Sequence, residues 1–499
     1  MSATPTNGAS RRAGSPRLSR QRAGASRLVE VVDTAESPAK ESSTIQSPTP
    51  SAPSAAEATL ESDSACGSHA PGGDRSLIRY AGSTLELTVV PATAGSPGVE
   101  ISNLLTTIGV IALDPGFTNT GSTTSAVTYI DGDAGVLRYR GYPIEQLAQS
   151  STFVETSYLL IHGELPTAAE LDAFTQRISR HTMLHEDLQH FFDGFAGDAH
   201  PMPVLASAVS ALSIFYPDSL DPFNPEQVEL STVRLLAKLP TIAAYAYKKS
   251  VGQPLLYPDN SLGLAENFLR MSFGVPAEPY EVNPKLVHAL DQLLILHTDH
   301  DQDCSTATVR LVGSSHANLF ASISAGINAL VAPPCGGANQ AVLEMLEGIR
   351  RRGEDVATFV QRVKNKEPGV KLMGFGHRDQ RNDDPRAALV RAAAPEVLED
   401  LGAADELLDL AQELEAVALS DDYFASRKLY PNVDFYTGLI YRAMGFPTTM
   451  FTVLLALGRL PGWIAQWREM INDPATRIGR PRQVYTGYTV RDYVQVQGR

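Results

Sequence analysis

Four short stretches hold the residues of this chain that could do chemistry. In "LHTDHDQDCST", His297 and His300 sit at the end of a helical pattern. Histidines at i and i+3 share one face and could hold a metal ion or an anion; as plain structure, they cap helix carbonyls. In "APPCGGANQAVLEML", residues 332 to 346, Cys335 stands on a Gly-Gly turn that feeds a helix. A helix N-terminus favours the reactive thiolate, whereas a plain structural cysteine packs as a small hydrophobe. In "KLMGFGHRDQRNDDPRA", residues 371 to 387, Gly374 and Gly376 flank Phe375, with His377, Arg378 and Arg386 nearby. Small residues there let backbone N–H groups approach a ligand. In "LYPNVDFYTGLIYRAMG", Asp434 is set among apolar and aromatic side chains. Such an acid is costly to bury unless it is bonded or has a task, and capping a helix is the plainer alternative.

Together these stretches offer histidine, carboxylate, glycine loops and the arginines Arg386, Arg459, Arg480 and Arg482. The planar fork of arginine matches a carboxylate two bonds at a time. The combination points to an enzyme acting on a di- or tricarboxylate.

The elements that must position these residues are mainly helical. "STLELTVV" alternates apolar and polar residues, and "AVTYIDGDAGVLRYRG" reads as a hairpin split by Asp-Gly and Gly, so residues 76–140 form a small β region. From about residue 143 apolar residues recur at three- and four-residue spacing. They do so in "PIEQLAQSSTFVETSYLLIHG", "AELDAFTQRISRH", "NPEQVELSTVRLLAKLPTIAAYAYKK", "NPKLVHALDQLLILHTDH", "ANLFASISAGINALV" and "NQAVLEMLEGIRRR". The small, apolar run "SISAGINA" suits a helix buried in a bundle or in a subunit interface. Strands and helices do not alternate, which excludes a Rossmann unit, and no Walker-type loop is present. The fold class is mainly α with a small β appendage.

Composition narrows the function further. The chain has 499 residues, 43 % of them hydrophobic, and a formal net charge of -15. That acidity argues against nucleic-acid binding, which needs a basic face. No run reaches the length of uncharged apolar residues that a membrane span needs. The three cysteines, Cys66, Cys304 and Cys335, are too few and too scattered for a disulfide framework or a tetrahedral metal site. Residues 1–75 are rich in Ser, Pro, Ala and Gly and read as a disordered tail. The tail's arginines, with no acid before Glu30, also resemble a mitochondrial transit peptide; a solvated basic tail on a cytoplasmic bacterial protein is the simpler reading.

With these residues in view, the chain resembles the citrate synthase family, in its bacterial type with an N-terminal β extension. The resemblance runs from about residue 79 to 495, through "DPGFTNT", "YIDGD", "LRYRGYPIEQL", "CSTATVRLVGSS", "GGAN", "KLMGFGHR", "DPRA", "YPNVDFYTG" and "RPRQVYTGY". It implies large and small helical domains: residues 141–340 for the first part of the large one, 341–445 for the small one, and 446–499 for the return and a C-terminal arm. It implies a homodimer or a hexamer of dimers, with no metal and no bound cofactor. The reaction implied is condensation of acetyl-CoA, as co-substrate, with oxaloacetate to give citrate and CoA. By resemblance Asp434 is the base, and His377 polarises the ketone. His300, Arg386, Arg459 and Arg480 grip carboxylates, and Gly374, Phe375 and Gly376 pass close to CoA.

The chain departs from the family where the family has a histidine to stabilise the enolate, in a "PxHGGAN" motif. Here that position is Cys335. A thiol is a poor hydrogen-bond donor, and a thiolate would repel the enolate, so the resemblance implies weakened or retuned activity. Asp379, Gln380 and Asp383 replace an apolar residue and two tyrosines, Leu455 stands for a phenylalanine, and His316 for a small residue. Two alternatives remain open on sequence: condensation of another acyl-CoA or 2-oxo acid, with Cys335 as a better fit or as a nucleophile, and a non-catalytic paralogue that binds CoA or a dicarboxylate.

Overall fold

A computed structural model describes residues 30–33, 75–331, 337–376, 384–400 and 406–499 of the chain. Cys66, Cys335, His377, Arg378, Asp379, Gln380 and Asp383, and most of the tail, lie outside the described residues. The chain divides into two compact units, Met1–Gly121 with Arg482–Arg499, and Ser122–Pro481.

The first unit carries an antiparallel sheet in the order β1 (Glu30–Asp33), β2 (Arg75–Tyr80), β3 (Ser83–Val90) and β4 (Gly98–Val99). The alternation in "STLELTVV" is realised as β3, whose Leu85 and Leu87 point inward onto Leu104. Within the stretch expected to be disordered, Glu30–Asp33 is a strand, because Val31 and Val32 pair with Ile78 and Leu77 of β2.

The second unit begins with β5 (Thr128–Asp131), β6 (Val136–Tyr139) and β7 (Tyr142–Pro143). The expected hairpin is the antiparallel β5–β6 pair; its turn is held by the Asp131 carboxylate, which accepts the N–H groups of Asp133 at 3.1 Å and Ala134 at 2.9 Å. The rest is helical, and its longer helices include α1 (Pro201–Phe215), α2 (Pro225–Ser250), α3 (Pro284–Leu296), α4 (Cys304–Gly313), α5 (Leu319–Leu330), α6 (Ala338–Arg352), α7 (Pro385–Asp400), α8 (Glu406–Ser420), α9 (Asp434–Ala443) and α10 (Phe451–Asn472). Their starts follow side-chain chemistry: Asn224, Asn283, Asp303 and Asn318 each accept an N–H of the first turn. Proline fills the first helical position of α2 and α3, where its missing N–H costs nothing.

The core of the second unit is one continuous cluster to which α10 contributes most of its length, with Trp463 and Trp467 as its bulkiest members. By length and composition, Thr448–Asn472 could cross a membrane, but 89 % of its most apolar window is buried inside the unit. It is a core helix. The small-residue run of α5 lies in the same core: a Cβ at Gly326 would meet Val309 of α4 at 2.5 Å, so glycine lets the two helices approach closely.

Candidate functional site

The site is built where three parts of the second unit converge: the turn after α3, the middle of α10, and the paired starts of α7 and α9. Helix α3 ends at Leu296, and His297 is its C-cap. The His297 Nδ1 bonds the Leu293 carbonyl at 2.7 Å, so the capping role is realised for this residue. Burial pushes the His297 pKa down to about 4, and Arg386 and Arg459 lower it too, which keeps the ring neutral. His300 follows on the same turn and is 7 % exposed. Among the described residues no cluster of His, Cys, Asp and Glu is arranged to hold a metal ion.

The turn lies tightly on α10 because glycines face it. A Cβ at Gly458 would sit 3.0 Å from His297, and one at Gly462 would sit 2.2 Å from the Thr298 carbonyl oxygen. Arg459, between them and 5 % exposed, is thereby brought to the turn. Its Nε donates to the His297 carbonyl at 2.9 Å, and one outer nitrogen donates to the Asp303 carboxylate. Asp303 is also the N-cap of α4, where its other oxygen accepts from the Thr306 N–H and the Ser305 hydroxyl, both at 2.7 Å.

Arg386 lies on the other side of the site, at the start of α7. Asp384 stands before Pro385, and its carboxylate accepts the Arg386 N–H at 3.0 Å, Nε at 3.1 Å and Nη2 at 3.0 Å. Both side chains are buried. Asp384 also accepts the Val433 N–H at 3.3 Å, which ties the start of α7 to the start of α9. The Glu415 carboxylate of α8 accepts from Arg391 of α7 and from the Tyr436 hydroxyl of α9, reinforcing that join.

Asp434 is the first residue of α9, and Val433 is the N-cap, so the capping alternative for Asp434 is set aside. The Asp434 N–H is held by Asn432 Oδ1 at 3.1 Å. Asp434 is half-buried, and the protein crowds its carboxyl enough to push the pKa up to about 6. Burial is the main cause; Arg386 and Arg459 oppose it, and Asp384 adds to it. Such a carboxyl is a stronger base than an exposed one while still ionised at neutral pH.

The glycine stretch lies directly against the approach to Asp434. The Gly376 N–H donates to the Tyr430 carbonyl at 2.7 Å, the Asn432 N–H to the Gly374 carbonyl at 2.9 Å, and Asn432 Nδ2 to the Gly376 carbonyl at 3.1 Å. Both glycines have positive φ, 76° and 78°, and a Cβ would strike Val342 and Phe435 at the first and Leu429 at the second. The described contacts of this stretch therefore serve chain packing, with the Phe375 ring edge-on to Phe435 at 4.9 Å.

The structure thus brings together Asp434, Arg386 and Arg459, sets His300 on the turn that Arg459 grips, and places Gly374 to Gly376 behind Asp434. It leaves Arg480 exposed on the segment after α10. Leu455 is buried in α10, whereas His316 is exposed at the end of α4, its ring against Phe223 at 4.8 Å. Sequence reasoning missed Asp384, Asp303 and Tyr139. The two acids precede helix starts, an N-cap signal that was there to be read. Tyr139 is wholly buried, with its hydroxyl on the Asp299 carbonyl at 3.0 Å and its pKa raised to about 12 by burial; nothing in its local sequence marks it.

The family model for the citrate synthase C-terminal domain matches residues 116–482. Citrate synthase 1 of Mycobacterium tuberculosis is 66 % identical over 426 residues, covering 85 % of this chain and 99 % of that protein. The citrate synthase of Corynebacterium glutamicum is 58 % identical over 427 residues, covering 85 % and 98 %. Among solved structures, the citrate synthase of Pyrobaculum aerophilum superposes with a TM-score of 0.68 at 34 % identity, covering 82 % of this chain and 97 % of that one. That of the thermophilic archaeon Thermoplasma acidophilum, in ternary complex with carboxymethyl coenzyme A and oxaloacetate, gives 0.70 at 27 % identity, covering 77 % and 99 %. Sequence motifs, fold and comparisons agree: the chain belongs to the citrate synthase family.

Proposed function

We infer that the protein condenses acetyl-CoA with oxaloacetate and releases citrate and CoA. The observation that carries this reading is Asp434, a carboxyl raised to about 6 between two buried arginines, in a chain so close to named citrate synthases. A thioester methyl is a very weak carbon acid, so the base must be strong for a carboxylate and must work beside cationic charge. Asp434 takes that proton. His377 polarises the ketone and protonates the new alkoxide, while His300, Arg386 and Arg459 receive the carboxylates of the acceptor. Arg480, exposed in the single chain, joins that grip only through a second copy or a movement of its segment. Gly374 to Gly376 shape the floor on which the CoA thioester lies.

By resemblance Cys335 takes the sequence position of the histidine that stabilises the enolate oxygen, and a thiol is a weak donor. The expected rate is therefore low for this reaction. Substrates and products need no bound cofactor, and the protein works in the bacterial cytoplasm as a homo-oligomer.

Purified protein and its Cys335→His variant, incubated with acetyl-CoA and oxaloacetate, test this reading by mass-spectrometric detection of citrate. Restoring one such donor should raise turnover by about 10²–10³. Citrate from wild type alone supports the reading with a working thiol. No citrate from either protein overturns it, in favour of another thioester or acceptor.

A further inference from the structure

The Arg459–Asp303 pair carries an inference that rests on the acceptor assignment above and deepens it. Two nitrogens of Arg459 are committed: Nε to the His297 carbonyl and one outer nitrogen to Asp303. The single Nε N–H is taken, which closes the grip through Nε, and a grip through both outer nitrogens must share one of them, and the charge, with Asp303. Asp303 does not stand in the solvent as a loose counter-ion. Its second oxygen is held at the N-terminus of α4 by the Thr306 N–H and by Ser305, whose hydroxyl also accepts from Trp463 Nε1 at 2.9 Å. The Asp303 side chain is 22 % exposed against 6 % for Arg459, so the contact can be reached by solvent from the Asp303 side.

We propose that Asp303 is an intrachain stand-in for a substrate carboxylate: it occupies Arg459 and sets how tightly the protein binds a dicarboxylate acceptor. The two functions of Asp303 are carried by different oxygens. Asparagine caps a helix as well as aspartate does, so Asp303→Asn keeps the cap and removes only the competing charge. The acceptor then meets an Arg459 with its positive charge unspent, while the thioester, which carries no carboxylate at its reacting end, meets nothing new.

The test is calorimetric titration of oxaloacetate into wild type, Asp303→Asn and Asp303→Ala, with melting curves and, for the proteins that turn over, separate KM values for oxaloacetate and acetyl-CoA. Releasing a charge-assisted bond should tighten oxaloacetate binding about tenfold or more in both variants. KM for oxaloacetate should fall with it, and KM for acetyl-CoA should stay unchanged. Only the alanine variant should melt lower, because only it lacks the cap. Equal or weaker binding by Asp303→Asn overturns the proposal and makes Asp303 a positioning residue that orients Arg459. Citrate formed by wild type without a gain in the variant overturns this inference alone. Absence of oxaloacetate binding in all three proteins overturns it together with the acceptor assignment.

Discussion

Two arginine–aspartate pairs face each other across the site, and they are built differently. Arg386 and Asp384 are two residues apart in sequence, meet through three bonds at one helix start, and have side chains 3 % and 2 % exposed. Arg459 and Asp303 are 156 residues apart and meet through one outer nitrogen, with Asp303 partly open to solvent. The first pair forms from local sequence and joins two helix starts: Asp384 also holds the Val433 N–H, and so fixes where Asp434 begins its helix. The second pair exists only because α10 and the turn after α3 pack together. A pair held by one bond, with a carboxylate that is partly exposed, can exchange one carboxylate for another. Similar ion pairs thus do different work according to how many bonds hold them and what they seal off.

The sharpest way to probe the framework side is the base it positions. Asp434→Asn should lower kcat by about 10²–10⁴, the usual worth of a general base, with oxaloacetate binding retained. A variant within a few-fold of wild type would show that another group takes the proton. Its melting temperature carries a second signature. The Asp434 pKa is raised from 3.8 to about 6, so between those values the folded form keeps a proton that the unfolded form releases. Stability from this group therefore falls as pH rises from 3.8 to about 6 and is level above that. Asp434→Asn should accordingly melt higher than wild type at neutral pH, and the difference should vanish near pH 4.

Breaking the first pair tests the contrast itself. Asp384→Ala leaves the Arg386 guanidinium buried without its partner and should cost about 3–5 kcal/mol in chemical denaturation, as breaking buried pairs does. The same measurement on Asp303→Asn should show little change. Equal losses in the two variants would dissolve the distinction between framework pair and exchangeable pair. The smallest expected effect is in the pH profile: kcat/KM should fall about tenfold per unit below the pKa of Asp434 as the base takes up its proton. A profile that is flat through pH 6 would remove Asp434 from that role.

Much of this was legible in the order of residues. The hairpin "AVTYIDGDAGVLRYRG", the strand "STLELTVV" and the helices α2, α3, α5 and α6 follow from period and punctuation, because such patterns act over a few residues. The motifs from "DPGFTNT" to "RPRQVYTGY", among them those around Arg386 and Asp434, identified the family, since they are many, ordered and specific in type. The Asp384–Arg386 pair was also within reach, as an Asp-Pro-Arg helix start. What no local pattern carries is the second pair. Asp303 reads as an ordinary cap, and Arg459 as one cation in an apolar helix. Only the close packing allowed by Gly458 and Gly462 brings them together. The same holds for the basicity of Asp434, whose residue type was evident but whose raised pKa depends on burial and on Arg386, Arg459 and Asp384 around it. Sequence determined which side chains could act and which elements would carry them. Tertiary structure decided which charges meet and which are crowded from water, because both depend on neighbours distant along the chain.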